Sequence, residues 1–112
     1  MKRSALKMAV GPVAPTQFLS ILDFGPAQLS ACLARAGELK AARSAHRPHE
    51  RPLEGLHVAL LFEKPSLRTR STFQIAVREL GGHTIEPPED VALGGRESIE
   101  DVARNLERWV AA

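Results

Sequence analysis

Tyrosine is missing from this chain, tryptophan and cysteine occur once each, and phenylalanine four times. So few aromatics leave little on which nucleobases could stack. Fifteen basic residues against 13 acidic ones, a formal charge of +2, make no dense cationic stripe. Both absences argue against a nucleic-acid module. A lone Cys32 can form neither an intrachain disulfide nor a multi-cysteine metal site, and it is expected to pack as a small hydrophobe. No apolar run approaches the ~20 residues needed to span a bilayer. Residues 1–14 are mildly basic and carry no acid, like a transit peptide, but they have few serines and are interrupted by Gly11 and Pro12. The expectation is a cytoplasmic protein whose residues 1–16 are disordered or frayed.

What is present is enough for one small domain: 112 residues, 44% of them apolar. Pro26 suits a first helical turn, where its missing N–H is not needed. From there Leu29, Cys32, Leu33, Ala36, Leu39 and Lys40 recur at steps of three and four, predicting a helix to about Ser44. Two prolines break the pattern between His46 and Pro52. His46 and His49 in that loop read as solvated histidines, since no further ligand clusters with them.

Leu56 to Phe62 is a near-continuous apolar run and reads as a buried strand. A second helix follows from Ser66 as N-cap, with Phe73, Ala76, Val77 and Leu80 on one face. Gly81 and Gly82 stop it. His83-Thr84-Ile85 forms a short second strand ended by Pro87 and Pro88, and Glu89 to Arg96 is a loop. Ser98 with Asp101 resembles a capping box ahead of a third helix bearing Ile99, Val102, Ala103, Leu106 and Val110. Helix–strand–helix–strand–helix implies an α/β fold, part of a three-layer domain with a parallel sheet.

The most informative stretch is Phe62-Glu63-Lys64-Pro65-Ser66-Leu67-Arg68-Thr69-Arg70. It carries the chain from a strand into a helix N-terminus rich in oxyanion donors. Ser66 and Thr69 offer hydroxyls, Arg68 a planar fork, and the first helical amides have no partner inside the helix. The helix dipole adds roughly 0.3–1 kcal/mol for an anion there. Positions two apart on a helix differ by about 200° of rotation. Arg70 therefore points away from Arg68 and is expected in a structural ion pair, with Glu63 as a candidate. On spacing alone, a capped helix with two solvated arginines fits equally well.

Ser66-Leu67-Arg68-Thr69-Arg70 resembles the Ser-Thr-Arg-Thr-Arg signature of the aspartate/ornithine carbamoyltransferases, which binds the phosphate of carbamoyl phosphate. Phe62-Glu63-Lys64-Pro65, Leu80-Gly81-Gly82-His83 and Glu97-Ser98-Ile99-Glu100-Asp101 are similar to the ornithine branch, in the same order. Phe18 to Asp23 resembles that branch's opening segment. Leu67 replaces the usual threonine, and Ala92 stands where many members carry a glutamine.

The resemblance implies carbamoyl transfer to the δ-amino group of ornithine, giving citrulline and phosphate, without metal or organic cofactor. It places carbamoyl phosphate on Ser66, Leu67, Arg68 and Thr69. It makes Arg96 a possible contact to a neighbouring subunit of a homotrimer. Residues 17–112 are then an incomplete carbamoyl-phosphate-binding domain, with the ornithine-binding domain and the arginine expected on the next strand absent. The expectation is an N-terminal piece, inactive alone and marginally stable. A non-catalytic phosphate-binding or assembly module, and a piece of an aspartate-type enzyme, are the alternatives.

Overall fold

The chain forms two compact units, a helical N-terminal one and an α/β C-terminal one. The computed structural model describes residues 16–92 and 94–112. The expected frayed stretch falls almost wholly on residues 1–15, outside the described residues. The first unit ends at Pro52 and the second begins at Leu53.

In the first unit a short 3-10 turn spans Ile21–Asp23. The Asp23 carboxylate accepts from the N–H groups of Leu19 and Ser20, and the Ser20 hydroxyl accepts from Leu22 N–H. Phe18 and Phe24 meet edge to face, 5.0 Å between centroids, a favoured aromatic geometry. Helix α1 then runs Pro26–Ser44. The Gln28 side chain accepts from Gly25 N–H at 2.8 Å, closing the first turn. No residue of α1 is fully buried and Leu33 is exposed, so the expected apolar stripe is only half covered. Arg35 pairs with Glu38 one turn on and with Glu50, fastening the loop after α1 back onto the helix.

The second unit holds strand β1 (His57–Ala59), helix α2 (Leu67–Glu79), strand β2 (His83–Ile85), a short helix α3 (Glu89–Ala92) and helix α4 (Ile99–Trp109). The two strands pair in parallel, His57 opposite His83 and Ala59 opposite Ile85, as expected for strands joined by a helical crossover. Hydrogen bonds from His83 N–H to Leu56 O and from Leu60 N–H to Ile85 O flank the pair. Ala111 N–H donates to His57 O and Ala59 N–H to Ala112 O, so the last residues follow the other edge of β1.

Two expectations need correction. The Leu56–Phe62 strand is shorter and less buried: β1 holds three residues, only Leu60 beyond it is fully buried, and Leu61 is exposed. The partner limits it, because β2 offers only His83–Ile85 for pairing. The Glu89–Arg96 segment is not all loop, since α3 forms its first turn, with Glu89 and Asp90 at the favourable N-terminal end. It closes through Arg96 N–H on Asp90 O, against which Gly95 packs so closely that a Cβ would lie 1.7 Å from that oxygen.

The core of this unit is small: Leu60, Val77, Val102 and Leu106 are its buried apolar side chains among the described residues. Ser98 caps α4 by accepting from Asp101 N–H at 3.1 Å, which turns Val102 and Leu106 inward. Ile99 and Trp109 stay exposed. Among the described residues no helix is long and apolar enough to cross a membrane.

Helices α1 and α2 end in the same way. Gly81 N–H bonds Arg78 O and Gly82 N–H bonds Val77 O, while His46 N–H bonds Arg43 O and Arg47 N–H bonds Ala42 O. This double closure needs a left-handed residue just past the helix. Gly81 takes it at φ 95°, and His46 takes it at φ 51°. Gly81→Ala should therefore destabilise the chain by roughly 1–2 kcal/mol, whereas His46→Gly should be neutral or stabilising. Urea unfolding of both variants checks this contrast; equal effects would contradict it.

Candidate functional site

Parallel pairing sets the exits of β1 and β2 side by side, the location where open α/β sheets bind ligands. A cavity of about 240 Å³ opens there. One wall follows β1 and is made by Leu60, Phe62, Lys64, Pro65 and Ser66. The other follows β2 and is made by Glu86, Pro87, Pro88 and Glu89, with Arg70 reaching in from α2.

Ser66 is the N-cap of α2, but its side chain makes no capping hydrogen bond. The first bond within the helix runs from Arg70 N–H to Ser66 O at 3.0 Å. The amides of Leu67, Arg68 and Thr69 therefore have no partner within the helix. A cap hydroxyl left unused beside three such amides is the local arrangement that suits an oxyanion. Thr72, one turn on, donates its hydroxyl to Arg68 O at 2.7 Å.

Of the residues expected at the site, the cavity brings together Ser66 and Arg70. Leu67, Arg68 and Thr69 are exposed and lie outside its lining. Arg96, also exposed, has its guanidinium 3.7 Å from the Asp90 carboxylate. Among the described residues no group of three or more His, Cys, Asp or Glu side chains is placed to hold a metal ion.

The ion-pair partner of Arg70 is Glu86, not Glu63. Arg70 Nε lies 3.1 and 3.2 Å from the two Glu86 oxygens, and Nη2 is 2.8 Å from Oε2. Gln74, one turn further along α2, donates its amide to Oε1 at 2.8 Å. A carboxylate with these donors ties the exit of β2 to α2 and so fixes the far wall of the cavity. The hydrogen bonds from Arg70 are the main reason the Glu86 carboxyl titrates below its ordinary range; partial desolvation opposes them, and Gln74 and the charge of Arg70 add to them. The guanidinium is held correspondingly above its usual value, again chiefly by the hydrogen bond to Glu86.

Lys64 lies in the Phe62-Glu63-Lys64-Pro65 motif but was given no role at the site, and Glu86 and Glu89 belong to no motif visible in the sequence. The available signal was topological. If Leu56–Phe62 and His83–Ile85 are parallel neighbours, the segment after Ile85 must face the Ser66 turn.

Three comparisons bear on this geometry. Residues 16–112 match the family described as aspartate/ornithine carbamoyltransferase, carbamoyl-P binding domain. An ornithine carbamoyltransferase of Deinococcus radiodurans is 48% identical over 99 residues, covering 88% of this chain and 31% of the relative. One from a Parafrankia species is 49% identical over 96 residues, covering 85% and 30%. Among solved structures, the ornithine carbamoyltransferase of Thermus thermophilus superposes with a TM-score of 0.73 at 43% identity, over 88% of this chain and 33% of that one. The Pyrococcus furiosus enzyme gives 0.76 at 36% identity, over 87% and 31%. The chain thus spans about a third of the length of the proteins it matches.

The Arg70–Glu86 pair carries a testable pH dependence. A carboxylate whose folded pKa is lowered contributes stability above the unfolded value of about 4.3, and loses it as pH falls through the folded value. The stability difference between the wild-type chain and Glu86→Gln should be constant from pH 5 to 8 and shrink below about pH 4. Chemical denaturation across that range measures it, and a difference that grows on acidification would contradict the assignment.

Proposed function

The chain belongs to the aspartate/ornithine carbamoyltransferase family through its carbamoyl-phosphate-binding domain, and from that membership we propose that it forms the phosphate-binding part of an ornithine carbamoyltransferase. The supporting observation is the Ser66 turn at the strand exit, with an uncapped hydroxyl and three unpaired helical amides.

In this reading residues 17–112 form part of the carbamoyl-phosphate-binding domain, and the ornithine-binding part lies outside the 112 residues. The phosphate of carbamoyl phosphate sits at the N-terminus of α2. The Ser66 hydroxyl and the amides of Leu67, Arg68 and Thr69 donate to its oxygens. The Thr69 hydroxyl adds a further donor. Arg68, exposed beside them, closes over the anion with its planar fork. Leu67 contributes its amide only, since it has no hydroxyl. Arg70 remains paired with Glu86 and does not bind substrate.

The transfer would place the δ-amino nitrogen of ornithine against the carbamoyl carbon. The C–N bond forms as the C–O bond to phosphate breaks, yielding citrulline and inorganic phosphate, with the amine's proton lost to solvent. Charge grows on the departing phosphate as that bond breaks. Donors fixed at the helix N-terminus stabilise this charge without having to reorganise. Orientation of the two substrates supplies the rest, and the groups that hold ornithine and the carbamoyl oxygen lie outside this chain. The reaction belongs to arginine metabolism, in a cytoplasmic homotrimer, with Arg96 reaching towards a neighbouring subunit.

Titration of carbamoyl phosphate or inorganic phosphate into the chain, followed by ³¹P NMR, tests the cradle. Arg68→Gln should weaken binding about tenfold or more, the usual cost of losing a charge-assisted hydrogen bond. Unchanged affinity would remove Arg68 from the site. The purified 112-residue chain should form no citrulline from carbamoyl phosphate and ornithine, and measurable turnover would refute the division of labour.

A further inference from the structure

The walls of the strand-exit cavity are charge-balanced, which is unexpected for a place that receives a phosphate. Lys64 and Arg70 bring two cations, Glu86 and Glu89 two carboxylates. The cation that α2 contributes to the cavity lining is Arg70, and it is engaged with Glu86 through both Nε and Nη2. We propose that Glu86 restrains the affinity of the cavity for phosphate by holding Arg70. This inference rests on the reading that phosphate binds beside Ser66.

Three observations carry it. Glu86 lines the same cavity as Ser66, so its charge acts on any anion placed there. Its side chain is largely covered while that of Arg70 is half exposed, at 19% and 51%, so Glu86 is the more fixed member of the pair. Gln74 supplies an additional donor from the same face of α2, which holds the carboxylate in place beside Arg70. The guanidinium is therefore neutralised in place, and the anion is left to the helix amides, Ser66 and Arg68.

Chemistry gives a reason for such restraint. In carbamoyl transfer phosphate is both part of the substrate and the leaving group. A second strong cation would hold substrate and released phosphate alike, and uniform binding of that kind does not lower the barrier. Contacts that strengthen only as charge develops on the leaving group are more useful than a permanently tight phosphate site.

The test compares inorganic phosphate binding, by calorimetry or ³¹P NMR at low salt, for the wild-type chain, Glu86→Gln, Arg70→Gln and the double variant. Removing one negative charge near the anion and freeing Arg70 should tighten binding by Glu86→Gln at least about threefold. Arg70→Gln should weaken it, because Glu86 is then uncompensated. The gain should vanish in the double variant and shrink as salt rises.

A merely structural pair would move both single variants in the same direction, since each breaks the same contact. Glu86→Ala is a second replacement with the same expected direction, and circular dichroism verifies that each variant is folded. Phosphate binding by the wild type with equal or weaker binding by Glu86→Gln and Glu86→Ala overturns the inference and leaves the phosphate site standing. Absence of phosphate binding in every chain overturns the phosphate site and the inference together.

Discussion

Parallel pairing of β1 with β2 is the constraint on which the rest depends. Once His57 lies opposite His83 and Ala59 opposite Ile85, both strands run out at the same end of the sheet. Their following segments, one carrying Lys64-Pro65-Ser66 and the other Glu86-Pro87-Pro88-Glu89, are then forced to face each other across a cavity. An antiparallel pair would have sent them to opposite ends. Helix α2 is the crossover that makes the parallel arrangement possible, and its N-terminus emerges at the cavity because β1 ends there.

The site combines two kinds of group with different jobs. Backbone amides at the start of α2 are fixed by the helix itself, and together with the Ser66 hydroxyl they are the groups proposed to hold an oxyanion. Arg70, Gln74 and Glu86 are spent on one another, and they brace the second wall instead of presenting a free cation. Arg68 stands between these roles, exposed and on the first turn. Much of the unit's apolar surface, including Leu61, Phe73, Ile75 and Trp109, remains exposed around a core of few side chains. A site built mainly from helix and strand termini tolerates such a small core, because its geometry comes from backbone hydrogen bonding.

Much of the fold was legible where local chemistry is decisive. Pro26 and the three–four spacing gave α1 its bounds, Gly81 placed the end of α2, and the glycine and proline pairs around His83–Ile85 isolated β2. Ser98 marked the start of α4 for the same reason. What local signals could not supply was anything set by distant contacts. Leu56 to Phe62 reads as one strand, yet only three of its residues pair, because β2 supplies no more than His83–Ile85. Arg70 has an acid nearby in Glu63, but Glu86 becomes its partner because β2 delivers it to that face of α2. The first wall of the cavity lies in the Phe62–Ser66 motif, but the facing wall, Glu86 to Glu89, follows from strand pairing and not from any motif.

The central claim is that an oxyanion sits on the first turn of α2. Residue-resolved amide spectra of the ¹⁵N-labelled chain during a phosphate titration test it most directly. The account expects the amides of Ser66, Leu67, Arg68 and Thr69 to shift together along one saturating curve, while α1 and α4 stay unmoved. Saturating shifts confined to other segments, with those four amides unchanged, would contradict it.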